Sequence, residues 1–203
     1  MNGAARLGTE TFVTLFVIMD PPGTLPVFLA LTGSLEHRQR VRAAQQAVAV
    51  ALLVIVTFAV FGQGILSYLH VSLPALQAAG GLLLLLIALD LLTGRDQDPE
   101  RADGVNVAFV PLGTPLLAGP GAIVATMLFV AQADDLVDRL AVAAGILAVH
   151  VTLFLTMRFA VVLHRVIRET GVMLVARVAG LLLSAIAVQL VADAVRAFVT
   201  GEA

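Results

Sequence analysis

The sequence predicts an all-α, polytopic membrane protein of six transmembrane helices, arranged as two inverted three-helix repeats. Three observations lead there. The chain is 60% hydrophobic and 13% charged, about half the charged share of a soluble domain, and its mean hydropathy is +1.00. The apolar residues fall in long runs that a soluble core would not need, and a span takes about 20 of them. A short motif also recurs inside two of these runs, as Asp20-Pro21-Pro22-Gly23 and as Ala118-Gly119-Pro120-Gly121.

The six runs cover residues 8–31, 43–69, 73–92, 105–130, 140–163 and 172–199. The connections are short. The most polar, GRDQDPERADG, lies between spans three and four. Residues 1–203 therefore form one transmembrane domain: repeat one over about 7–93, a cytoplasmic loop over about 94–104, and repeat two over about 105–199. The opening MNGAARLGTE is too short and polar for a signal peptide, so the first span is expected in the mature protein.

Spans one and four should be broken at their Pro-Gly motifs. Proline removes a backbone donor and clashes with the preceding turn. A break at membrane depth leaves backbone polar groups unpaired, and it is tolerated only inside protein or beside a wet cavity. Paired breaks in corresponding halves point to a transporter's binding site.

The halves match elsewhere too. Leu76-Gln77-Ala78-Ala79-Gly80-Gly81-Leu82 in span three aligns with Val175-Ala176-Arg177-Val178-Ala179-Gly180-Leu181 in span six, and the match continues to Asp90 against Gln189. An odd number of spans per half places the halves in opposite orientations. Arginine sets the direction. Arg38, Arg40, Arg42, Arg95, Arg101, Arg165 and Arg168 fall in the first, third and fifth loops, against Arg6, Arg139 and Arg196 on the other side. The positive-inside rule puts the first group in the cytoplasm and both termini outside.

Composition excludes several functions. The net charge of -2 offers no basic patch for nucleic acid, and the absence of cysteine removes disulfides, thiol catalysis and thiolate metal sites. Neither HExxH nor GxSxG is present. No metal or organic cofactor is expected, and the protein reads as a non-enzyme. Without a nucleotide-binding motif, energy would come from a solute, proton or sodium gradient.

Asp20 is the sharpest candidate residue. It stands about 12 residues into span one, about 18 Å deep. A carboxylate there costs at least about 2.5 kcal/mol and needs a proton, a cation or hydrogen-bond donors. It can equally cap the half-helix that follows, with Pro21 at the first helical position. Pro22, Gly23 and Thr24 complete the first break. Gly119, Pro120, Gly121 and Ala122 form the second, where free N–H groups and a helix dipole suit a substrate carboxylate. The Thr24 and Thr114 hydroxyls can supplement either end or bond their own helices. Asp20 aligns with Ala118, so the breaks are unequal. A zwitterion fits that asymmetry, its ammonium near Asp20 and its carboxylate at the Gly121 and Ala122 amides. His150, in the middle of span five, is a second proton-coupling candidate beside Asp20. Asp193 and Arg196, three residues apart, are expected to pair.

DPPGTLPVFLALT, SLPALQAAGGLLLLLIALDLL, AGPGAI and RVAGLLLSAIAVQLVADAV together resemble the MarC family of bacterial inner-membrane proteins, along nearly the whole chain. The resemblance implies a plan like that of the LysE-type exporters, a bacterial inner-membrane location and transport of small neutral amino acids. The expected partners are a small zwitterionic solute and the lipid bilayer, with room for an oligomer. The leading expectation is a secondary transporter working by alternating access at a midplane site between the two breaks. A passive channel and a non-transporting membrane protein are the alternatives.

Overall fold

A computed structural model describes residues 3–33, 35–93 and 117–201. Among these residues every regular element is a helix: α1 (Gly3–Met19), α2 (Thr24–Thr32), α3 (His37–Leu69), α4 (Leu73–Thr93), α5 (Pro120–Ala131), α6 (Leu136–Arg158) and α7 (Ala160–Thr200). The cytoplasmic loop expected at 94–104, the first half of span four and Thr114 lie outside the described residues.

The helix ends follow local chemistry. A capping box opens α3: the Glu36 side chain accepts from the Gln39 amide, and the Gln39 side chain accepts from the Glu36 amide at 3.1 Å. Asp135 caps α6 through the Asp138 amide at 2.7 Å. Pro120 supplies the pre-set first residue of α5. Left-handed backbone at His70 and Gly201 stops α3 and α7.

Among the described residues, four segments are long and apolar enough to cross a membrane: His37–Leu69, Leu73–Thr93, Leu136–Arg158 and Met173–Thr200. Their outer faces carry exposed Leu53, Phe61, Leu86, Leu147 and Leu181, an apolar surface suited to lipid. Run one instead contributes α1 and α2, with 17 and 9 residues.

One expectation is corrected. The fifth loop, with Arg165 and Arg168, is helical, because α7 starts at Ala160 directly after Phe159. Phe159 N–H donates to the Leu155 carbonyl at 3.0 Å, and Leu163 N–H to the Phe159 carbonyl at 2.9 Å. With no glycine or proline between Ala160 and Thr170, nothing stops the helix there. At about 1.5 Å per residue its 41 residues run to about 60 Å, twice a bilayer's apolar thickness.

Glycines set the closest crossings. A Cβ on Gly8 would lie 2.9 Å from the Ala141 carbonyl oxygen, and one on Gly145 would lie 2.7 Å from the Gly8 oxygen and 3.1 Å from the Phe12 nitrogen. Gly8 faces Ala141 and Phe12 faces Gly145 at the same sequence separation, so α1 and α6 run parallel. Small residues at these points let the two backbones approach. At the α4–α7 crossing, a Cβ on Gly81 would meet Ala187, Leu190 and Val191, and one on Gly180 would meet Ala88, Leu91 and Leu92. These two helices run antiparallel. Gly80 packs against Val124, Gly121 against Leu84, and Gly62 against Met127, which fixes α5 between α3 and α4.

Two buried clusters result. One joins α1, α2, α3, α5 and α6 through residues such as Met19, Phe28, Ala51, Ala122 and Val149. The other joins α4 to α7 through Leu84, Ala88, Leu183 and Ala187. Arg40 ties α3 to the end of α2: its Nη2 donates to the Thr32 carbonyl at 3.2 Å and the Leu35 carbonyl at 3.4 Å.

Candidate functional site

The site starts where α1 stops. Asp20 N–H donates to the Phe16 carbonyl at 3.1 Å, closing the last turn of α1. Asp20 itself has a φ of 40°, a left-handed conformation that aspartate tolerates better than most residues. The chain re-enters a helical path through Pro21, Pro22 and Gly23. The Asp20 carbonyl accepts from Thr24 N–H at 3.0 Å, and its Oδ1 accepts from Gly23 N–H at 3.1 Å. Asp20 therefore ends one helix and caps the next turn. Gly23 is required beside it, because a Cβ there would overlap the Asp20 carboxylate.

Asp20 is only 9% exposed, and its Oδ2 is buried with no partner among the described residues. A buried polar atom without a partner carries a desolvation cost, so this oxygen is a vacant acceptor. Thr24 is buried, and its hydroxyl donates to the Pro21 carbonyl at 2.8 Å. That bond commits its proton to the turn itself.

The second segment forms the start of α5. Gly119 is extended and accepts from the amides of Ala122 at 3.0 Å and Ile123 at 3.2 Å. Pro120 has no N–H, and Ala122's is occupied. The Gly121 N–H is left as the donor without a partner among the described residues. Gly121 and Ala122 are buried while Pro120 is exposed. Met19, Leu25, Ala118 and Ala122 share one buried cluster, so both segments border the same packed interior.

His150 lies on the inward stripe of α6 with Ile146, Val149 and Leu153 and is 2% exposed. Its Nδ1 stands 2.7 Å from the Ile146 carbonyl oxygen. A carbonyl only accepts, so Nδ1 carries a proton, and in the neutral ring Nε2 presents a lone pair. Nε2 is buried and has no partner among the described residues. The α1–α6 register places His150 level with Val17, one turn before Asp20 and about 4.5 Å away along the axis.

Thr126, absent from the sequence-based expectations, is a further buried polar group without a partner among the described residues, as is Arg40 Nε. Thr126 is fully buried, and its Oγ1 has no partner among the described residues. The Thr11, Thr32, Thr57 and Thr152 hydroxyls instead donate to the carbonyl four residues earlier. No feature of ATMLFV marks Thr126 as different. The expected Asp193–Arg196 pair is not formed. Asp193 Oδ1 accepts from Gln189 Nε2 at 2.8 Å, because Gln189 lies one turn back on the same face of α7. Among the described residues the ion pair is Arg6 with Glu10, 2.7 Å apart on the surface of α1.

Long apolar helices around a buried carboxylate, at a point where the first helix stops and restarts, define an all-helical integral membrane protein. Residues 6–199 match the MarC family of integral membrane proteins, and the chain belongs to that family. It is 39% identical over 193 residues to a UPF0056 membrane protein of Methanocaldococcus jannaschii, covering 91% of this chain and 94% of that protein. It is 35% identical over 190 residues to a UPF0056 membrane protein of Archaeoglobus fulgidus, covering 90% and 89%. The UPF0056 membrane protein YvbG of Bacillus subtilis is 28% identical over 191 residues, 90% of each chain. No solved structure matches the chain.

Proposed function

We propose that the protein is a secondary transporter of small zwitterionic solutes, neutral amino acids in the first place, working by alternating access. One observation carries this reading: the Asp20 carboxylate caps a helix interruption with Oδ1 and keeps Oδ2 buried without a partner among the described residues. A carboxylate in an apolar bundle is expensive. A vacant oxygen that receives an ammonium, a proton or a sodium ion from outside accounts for that expense.

The solute's ammonium binds at Asp20, within the turn of Pro22, Gly23 and Thr24. Its carboxylate binds at the start of α5, where Gly119, Pro120, Gly121 and Ala122 leave the Gly121 N–H and the positive helix end available. The vacant Nε2 of His150 and Oδ2 of Asp20 are both acceptors, which suits coupling to protons or sodium. This reading involves no catalytic chemistry and no cofactor.

The architecture proposed is six spans in two inverted repeats, with spans one and four broken. The α4–α7 crossing supports it: adding 99 to the numbers of Gly81, Ala88, Leu91 and Leu92 gives Gly180, Ala187, Leu190 and Val191, the same contact seen from both halves. The termini are proposed to face the outside of the bacterial inner membrane, from the distribution of arginine.

A thermal-shift screen of the purified protein tests the substrate class. Ligands that bind the folded state raise its melting temperature by mass action. L-alanine, L-serine and related zwitterions should raise it, with the effect depending on pH or sodium. No shift with any amino acid would reject the substrate assignment.

A further inference from the structure

A cavity of about 680 Å³ lies between α1, α4, α5 and α7. Its walls include the first turns of α4, the residue after α5, and α7 from Ala185 to Asp193. Thr14 of α1 and Ala125 of α5 also line it. Gln77, Gln132 and Gln189 line it with the Asp193 carboxylate. The three carboxamides and the carboxylate give water and a polar solute hydrogen-bonding partners, beside apolar walls of Leu73, Leu128, Phe129 and Leu190. Asp193 is the one ionisable group among the lining residues. Gln189 holds its Oδ1 at 2.8 Å, and Asp134 and Asp135 follow Gln132 in the chain. Arg196, the nearest basic residue along α7, is not part of the lining.

We propose that this cavity is a water-filled, cation-selective vestibule that recognises ammonium groups through Asp193, with Gln77, Gln132 and Gln189 as neutral hydrogen-bonding walls. Its role as the approach to Asp20 rests on the transport reading, but its selectivity does not. It favours cations and the ammonium end of zwitterions over anions, because a half-buried carboxylate is the single charge in its lining.

The chain has no cysteine, so single-cysteine variants report on one position each. Gln77→Cys and Gln189→Cys would be placed in lipid nanodiscs, which expose both faces of the bilayer. Each would be reacted with cationic trimethylammonioethyl and anionic sulfonatoethyl methanethiosulfonates. Rates are divided by those of a free small thiol. The vestibule predicts ready labelling at both positions, a cation preference of roughly tenfold, and loss of that preference when Asp193→Asn is added. Asp193→Glu should retain it. Labelling no faster than at Leu182→Cys, on the exposed face of α7, would overturn the water-filled vestibule. A preference unchanged by Asp193→Asn would overturn the ammonium recognition. Neither result depends on flux, so failure here is distinguishable from failure of the transport assignment.

Discussion

Gly81 and Gly180 stand on opposite sides of one helix crossing and meet matching partners. Gly81 packs against Ala187, Leu190 and Val191 of α7, and Gly180 against Ala88, Leu91 and Leu92 of α4. The two are not equally tight. A Cβ on Gly81 would lie 2.8 Å from the Ala187 carbonyl oxygen, whereas one on Gly180 would find its nearest atoms at 3.2 Å. A backbone oxygen cannot swing aside as a side-chain end can.

Gly81→Ala is therefore expected to destabilise by about 1–3 kcal/mol, lowering the melting temperature by about 2–4 °C per kcal/mol for a chain of this size. Gly180→Ala should cost clearly less. Thermal unfolding in detergent checks the order. Equal effects would show that the crossing is looser than its geometry.

Gly23 has a different role. A side chain there collides with the Asp20 carboxylate rather than with a neighbouring helix. Gly23→Ala should displace the carboxylate, remove the cap and abolish amino-acid-induced thermal stabilisation. Gly64→Ala, where a Cβ meets nothing within 4 Å, should leave both folding and binding intact.

Arg40 clamps the end of α2 through two carbonyls, with bonds at the long end of the range. Arg40→Ala should lower stability by about 1 kcal/mol. Arg40→Lys, a compact charge without the planar fork, should recover part of it. The comparison is again by thermal unfolding.

His150 offers a lone pair at Nε2 while Nδ1 is held by Ile146. His150→Phe removes that acceptor in a similar volume. Proteoliposome uptake measured between about pH 5 and 8 should lose its pH dependence while the protein remains folded. A pH profile identical to that of the wild type would exclude His150 from coupling.

The helical runs of spans two, three and five were legible because an apolar stretch of that length has few other solutions. Asp20 as a cap was legible in part: it caps the Pro21–Gly23 turn, while α2 itself starts at Thr24 with Gly23 at its N-cap. The start of α7 was not. Arg165 and Arg168 look like a loop in composition, yet arginine is a good helix former, and neither glycine nor proline occurs between Ala160 and Thr170. The restricted amide at Ala122 also escaped the sequence reading, because it depends on the extended backbone of Gly119. Thr126 and the Gln77–Asp193 cavity depend on which helices meet, which no local pattern encodes.

Asp20→Asn tests the central claim most directly. Asparagine keeps an oxygen that can accept from the Gly23 amide, so the cap and the fold should survive, and thermal unfolding verifies that. Only the charge is lost. Counterflow of labelled L-alanine in proteoliposomes should then fall to the level of empty vesicles. Wild-type counterflow from the folded Asp20→Asn protein would contradict the account.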